Sequence, residues 1–185
     1  KTMSDSEDLA MRTALPVPAT HQPPVVVGGA TALYLAFRLA DEVYAIDILR
    51  IREILEYRVP TGVPMMPPSV RGVINLRGAV VPVIDLAVRF GGGATGVGKR
   101  SCIVIVEATH AGTTQILGLM VDGVNAVMDI GADRIEPPPA FGTGVSSDFI
   151  AGMARVDGRF VVILDMARVL SIDDMAVIPA RATDA

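Results

Sequence analysis

The stretch Gly72 to Phe90, "GVINLRGAVVPVIDLAVRF", decides the reading of the fold, because its pattern returns from Gly152 to Leu170 as "GMARVDGRFVVILDMARVL". At a displacement of 80 residues, Gly72 falls on Gly152, Gly78 on Gly158, Val81 on Val161, Asp85 on Asp165 and Ala87 on Ala167. Apolar residues face apolar ones between these anchors. Self-similarity at a fixed spacing marks a duplicated structural unit. In each copy two Val- or Ile-rich runs flank a glycine turn, Arg77-Gly78 in one and Asp157-Gly158 in the other. An aspartate then precedes the last few residues. This predicts a β-hairpin that runs into a short helix, with Asp85 and Asp165 accepting the orphan N–H groups of the first turn.

A second correspondence lies upstream. "YAIDILRIREIL" (Tyr44 to Leu55) matches "LGLMVDGVNAVM" (Leu117 to Met128) in apolar pattern at a displacement of 73 residues. In "LYLAFRLADEVYAIDI" apolar residues alternate up to a turn at Asp41-Glu42, which predicts a hairpin. In "ILRIREILE" the residues Ile48, Ile51, Ile54 and Leu55 recur at helical spacing and predict a helix of about two turns. The chain therefore divides into two similar halves of about five short strands each, from about 32 to 91 and from about 99 to 172. A glycine-rich connection over 91–98 joins them. So few short strands per half predict small barrels that hide their edges, packed against each other in an all-β protein.

Composition agrees with this division. Of the 185 residues 51% are hydrophobic, but there are only five Phe, three Tyr and no Trp. The core must be built from Val, Ile, Leu, Ala and Met, a set that favours strands. Residues 1–31 mix acidic residues, Ser, Ala and Pro without periodicity and are predicted to be a disordered tail. Residues 32–175 form the folded domain and 176–185 a C-terminal tail. The single Cys102 excludes an internal disulfide and any multi-cysteine metal site, and it fits a reducing cytoplasm. A net charge of -4 supplies no basic stripe and the few aromatics no stacking platform, which argues against nucleic acid as a partner. The two long stretches nearly free of charge are broken by prolines and glycines or by His110, Gly112 and Thr113, so neither reads as a membrane span, and no signal peptide is visible.

Catalytic chemistry finds no support in the pattern. "GATGVGKRS" from Gly93 matches the glycine and lysine spacing of a phosphate-binding loop. Arg100, however, stands where Ser or Thr would hold Mg²⁺, and the strand-like "CIVIVE" follows where a helix is needed. A nucleotide-binding protein is thus the weak alternative. His21 and His110 have no partner placed for acid–base work or metal ligation. Asp122, Asp129 and Asp133 lack the spacing of a calcium loop. No catalytic residue, metal or cofactor is expected. What remains is Arg77 at a hairpin turn, where the second copy has Asp157, with Glu53 as its candidate ion-pair partner.

The segments "VYAIDILRIREIL", "VRGVINLRGAVVPVIDL" and "LGLMVDGVNAVMDI" together resemble the signature segments of the CheW family of bacterial chemotaxis coupling proteins. The resemblance spans about Leu33 to Met175. It implies two small five-stranded SH3-like barrels with short helices, and a non-catalytic adaptor. Its implied partners are the cytoplasmic hairpin of methyl-accepting chemoreceptors and the regulatory domain of the CheA histidine kinase. Such an adaptor works in the cytoplasm at receptor arrays, without inserting in the membrane. The same role in a non-flagellar chemosensory pathway is an alternative. By the resemblance, the receptor-facing residues are Ile51, Glu53, Gly72, Arg77, Val124 and Val127, and the kinase-facing residues Glu136 and Phe141. Glu136 departs from the basic residue that some relatives carry there.

Overall fold

The computed structural model describes residues 31–110, 112–138 and 147–170. The expected tails and Phe141 lie outside these residues, except that Thr31 opens the first strand. Strands β1 (Thr31–Leu39) and β2 (Glu42–Asp47) form the first hairpin, and a 3-10 turn (Ile48–Arg50) leads to β3 (Ile51–Glu56). The hairpin β4 (Val70–Leu76) and β5 (Ala79–Asp85) then enters α1 (Leu86–Arg89). Beyond the connection come β6 (Cys102–His110), β7 (Thr113–Val121), β8 (Gly123–Gly131) and the short β9 (Ile135–Glu136). The hairpin β10 (Ile150–Val156) and β11 (Arg159–Leu164) and helix α2 (Met166–Val169) complete the order.

These strands form two sheets, in the orders β8-β1-β2-β11-β10-β9 and β3-β6-β7-β5-β4. Each sheet draws strands from both halves of the sequence, which corrects the expectation of one barrel from 32–91 and another from 99–172. The halves exchange strands at two parallel pairings, β2 with β11 and β5 with β7. Both predicted displacements recur in the pairing. Adding 80 to Val83 gives Ile163, and subtracting 73 from Gly118 gives Ala45. The pair Val83 and Gly118 in one sheet thus corresponds to Ile163 and Ala45 in the other.

Each sheet is closed by the chain that leaves its first edge strand. Beyond β3, Thr61 exchanges two backbone hydrogen bonds with Val73 of β4, at 2.8 and 2.9 Å. Beyond β8, β9 pairs with β10. At both crossings β4 and β10 carry a buried glycine. A Cβ on Gly72 would collide with the Thr61 carbonyl, and one on Gly152 would meet the Ile135 side chain and the Glu136 carbonyl oxygen.

The predicted helix over Ile48 to Leu55 is instead a single 3-10 turn followed by a strand. Asp47 caps the turn by accepting from Leu49 N at 2.9 Å. In β3 the register against β6 shifts between Ile51 and Glu53, leaving Arg52 as a bulge. A bulge inserts one residue into a period of two, and that irregularity imitated helical spacing.

Three clusters make the core. Two belong to single sheets: Ile74, Val81, Val83, Ile103, Ile105 and Met120 in one, and Ala45, Ile130, Ala154, Val161 and Ile163 in the other. The third takes Leu35, Phe37 and Tyr44 from one sheet and Ile84, Val106 and Leu119 from the other, so it welds the sheets together. Phe37, Tyr44, Phe90 and Phe149 run through this region, with successive ring centroids 5.9, 5.6 and 5.7 Å apart.

Candidate functional site

Arg77 and Gly78 turn the β4–β5 hairpin with φ of 53° and 86°. Two consecutive left-handed residues match the twist of a two-residue hairpin, and Asn75 Oδ1 secures the turn by accepting from Gly78 N at 2.9 Å. The turn carries the Arg77 side chain back over the sheet. There its Nη1 and Nη2 donate to Glu53 Oε1 and Oε2 at 2.9 and 3.0 Å, the two-pronged pairing that a guanidinium makes with a carboxylate. Glu53 lies on β3 and Arg77 beside β4, the two outer strands of the five-stranded order, so the pair bars the gap between them.

Beneath the bar lies a cleft of about 560 Å³, floored by Leu76, Ala79, Val81, Ile105 and Ile116 and rimmed by Arg52, Glu53 and Arg77. Each of the five strands contributes a lining residue, which makes the cleft the open mouth of this barrel. Arg52, pushed out by the bulge, pairs with Glu107 at 2.8 Å. Arg77 is 78% exposed, whereas Glu53 is 22% exposed.

The other expected receptor-facing residues occupy different places. Ile51 and Val124 are half-buried and pack on the cluster that joins the sheets. They are counterparts, each immediately before a bulge, at Arg52 in β3 and at Asn125 in β8. Val127 is 50% exposed on β8, and its counterpart at the displacement of 73, Ile54, is 44% exposed on β3. Ile54 escaped the sequence reading because the helical interpretation placed it on a core face. Gly72 presents no surface; it lies buried under the closing segment at Thr61. The structure therefore brings Glu53 and Arg77 into contact and places the other four elsewhere on the two barrels. Glu136 is exposed on β9, paired in register with Met153.

The phosphate-loop motif resolves into a structural tie. Asp85 is fully buried and accepts Thr95 Oγ1 at 2.6 Å and Thr95 N at 2.9 Å. It also accepts Arg71 Nε at 3.0 Å and caps α1 through Ala87 N and Val88 N. Thr95 of "GATGVGK" thus moors the connection, and β6 rather than a helix follows. Neither Arg71 nor Thr95 carried a signal in the sequence, since their meeting depends on how the connection folds back.

Burial, the hydrogen bond to Glu42 at 2.7 Å and the charge of Glu42 together hold the Tyr44 phenol far above its ordinary range. Burial, followed by the charge of Asp47, raises Tyr34 more modestly. Among the described residues no group of three or more His, Cys, Asp or Glu is placed to hold a metal ion, and no helix is long and apolar enough to cross a membrane.

Comparison with known proteins places this geometry among relatives. The CheW-like domain family matches residues 33–174. Chemotaxis protein CheW of Klebsiella aerogenes is 31% identical over 145 residues, covering 78% of this chain and 85% of that one. Chemotaxis protein CheW of Helicobacter pylori is 33% identical over 140 residues, covering 76% and 82%. The crystal structure of the scaffolding protein TtCheW from Thermoanaerobacter tengcongensis superposes with a TM-score of 0.70 at 36% identity, over 80% of this chain and 92% of that one.

Proposed function

The chain belongs to the CheW-like domain family, and from that premise we propose that it is a non-catalytic chemotaxis adaptor coupling the cytoplasmic tips of chemoreceptors to the CheA histidine kinase, in the cytoplasm at receptor arrays. Relatives of similar length are chemotaxis proteins, and one is described as a scaffolding protein.

The observation that carries the reading is the Arg77–Glu53 pair. An exposed ion pair contributes about 0–1 kcal/mol to stability. The duplicated half folds with the same hairpin although Asp157 and Ala126 stand at the two matching positions. The fold therefore does not require the pair, and contact with a partner gives it a use. In this reading the receptor helix lies along Ile51 and Val124, with Val127 and Ile54 adding exposed apolar surface and Arg77 and Glu53 fixing its register. Gly72 serves indirectly, by keeping the closing segment tight against β4. Apolar contact supplies the affinity and the charged rim the orientation. Glu136, exposed on β9, and Phe141 are the residues this reading assigns to the kinase regulatory domain.

Calorimetric titration tests the reading with two probes from the same cell, the receptor cytoplasmic hairpin fragment and the isolated kinase regulatory domain. Saturable binding of both is expected. Arg77→Ala should weaken the receptor fragment about tenfold while leaving kinase binding and the unfolding curve unchanged. Absence of saturable binding to either probe would overturn the adaptor, and an Arg77→Ala variant that binds the receptor fragment normally would remove Arg77 from the site.

A further inference from the structure

Three neighbouring strands of the second barrel, β2, β11 and β10, carry a row of unlike side chains on their outer face. Tyr44 is level with Val162 in the parallel pairing of β2 with β11. Two residues earlier on each strand, Glu42 is therefore level with Phe160. Across the next pairing Phe160 stands opposite Arg155. The row reads acid, aromatic, base. All three residues are exposed, Phe160 to 55%, and side chains opposite one another share a face of the sheet. The Arg155 guanidinium lies 4.8 Å from the centre of the Phe160 ring, within the reach of a cation–π contact. At the other end the Tyr44 hydroxyl donates to one carboxylate oxygen of Glu42 at 2.7 Å, which leaves the second oxygen for another donor.

Beside the row opens a cleft of about 450 Å³, with Val43, Met153 and Val162 on its apolar side and Asp41 and Arg159 adding one charge of each sign. Among the described residues no ion pair joins an acid on this face to a base on it. The other copy of the duplication is different. At the positions matching Glu42, Phe160 and Arg155 stand Gln115, Val80 and Asn75, brought level by the same pairings. That row has no charge and no ring, so a barrel wall needs neither.

We infer that this row is the contact through which two copies of the chain join about a two-fold axis. An acid and a base at opposite ends of a central ring make a surface that is its own complement. An axis parallel to the strands and passing over Phe160 sets the two rings against each other. It also brings Glu42 of each copy to Arg155 of the other. Every favourable pair in such a contact occurs twice. A partner carrying one sign of charge would satisfy one end of the row and be repelled by the other, whereas a second copy satisfies both. The rings and the apolar side of the cleft supply the affinity, and the charges fix the register. The row lies wholly in the six-stranded sheet, apart from the Arg77–Glu53 pair of the other sheet.

Sedimentation equilibrium of the full chain tests this. The wild type is expected to show a reversible monomer–dimer equilibrium between about 10 and 500 µM. Phe160→Ala should raise the dimer Kd about tenfold or more, while Val80→Ala, at the matching position of the other copy, should leave it within about twofold. Glu42→Arg and Arg155→Glu should each be monomeric alone, because each sets like charges together twice. Their equimolar mixture should dimerise about as the wild type does, since the two altered rows complement each other. If Glu42→Arg unfolds, Arg155→Glu and Phe160→Ala decide: weakened dimers in both uphold the contact, and an unchanged dimer in either overturns it. A mixture that stays monomeric overturns the two-fold arrangement. A wild type that is monomeric throughout overturns the dimer, and if Phe160→Ala then weakens binding of the kinase regulatory domain, the row belongs to that partner instead.

Discussion

The units Val70–Phe90 and Ile150–Leu170 share their backbone almost residue for residue and differ in nearly every polar side chain. Strands β4 and β10 have the same sequence of buried, half-buried and exposed positions, and each shifts register at its glycine. The turns repeat, with φ of 53° and 86° in one and 50° and 78° in the other. The caps repeat as well, with Asp85 and Asp165 each accepting from two N–H groups at 3.1 and 3.4 Å. Yet the Asp85 side chain is fully buried against Arg71 and Thr95, while that of Asp165 is 37% exposed and 3.6 Å from Arg168. Glycines, turn geometry and apolar alternation suffice to fix this unit. The polar positions were then free to diverge, one copy acquiring an internal tie and an ion pair that the other does without.

The sharpest way to break the comparison is at the aspartates. Asp85→Ala takes the acceptor from the Thr95 N–H and hydroxyl and leaves the partly exposed Arg71 guanidinium with the Thr95 carbonyl alone, and each buried donor left unsatisfied costs about 1–3 kcal/mol. Asp165→Ala removes a partly exposed cap and a 3.6 Å contact with the exposed Arg168, for about 1 kcal/mol. Urea unfolding of the two variants should show this gap, and equal losses would mean that the tie at Asp85 is not the difference between the copies.

The glycines come next. Gly72 has φ of 144°, and an added Cβ would press on the Thr61 carbonyl, both backbone constraints. At Gly152 the backbone strain is absent, and part of the clash is with the movable Ile135 side chain, although the Glu136 carbonyl oxygen lies at 2.9 Å. Gly72→Ala should therefore cost about 3 kcal/mol or more and Gly152→Ala about 1–3 kcal/mol, read from the same unfolding curves. The reverse order would show that barrel closure is tighter at β9 than at Thr61.

The smallest effect concerns the residues leading into the repeats, where Tyr44 matches the non-ionising Leu117. Because the folded phenol is raised above its unfolded value near 10, the unfolded state releases its proton first. Stability is thus full below about pH 10 and falls as pH rises further, by at most about 1.4 kcal/mol per pH unit. Tyr44→Phe should flatten that alkaline decline, leaving the smaller contribution of Tyr34; an unchanged slope would place the titrating group elsewhere.

Much of this was legible from the chain. The displacement of 80 located both hairpins, both helices and both caps, and the displacement of 73 aligned Ile51 with Val124. The ion-pair partner of Arg77 was also readable. Elsewhere the sequence misled for identifiable reasons. The bulge at Arg52 broke strand alternation and imitated a helix, which hid Ile54. Thr95 sits among residues whose spacing belongs to phosphate loops, and nothing local shows that a buried carboxylate awaits it.

Local pattern determined the elements, their order and the duplication, because turn chemistry, capping and apolar period act within a few residues of one another. Tertiary structure decided which strands share a barrel. Two similar halves can satisfy their hydrogen bonds either within themselves or by exchange, and the parallel pairings β2–β11 and β5–β7, made between residues far apart in the chain, select the exchange. The same long-range packing buried Asp85, left Asp165 partly exposed, and left a cleft open at one barrel mouth beneath Arg77.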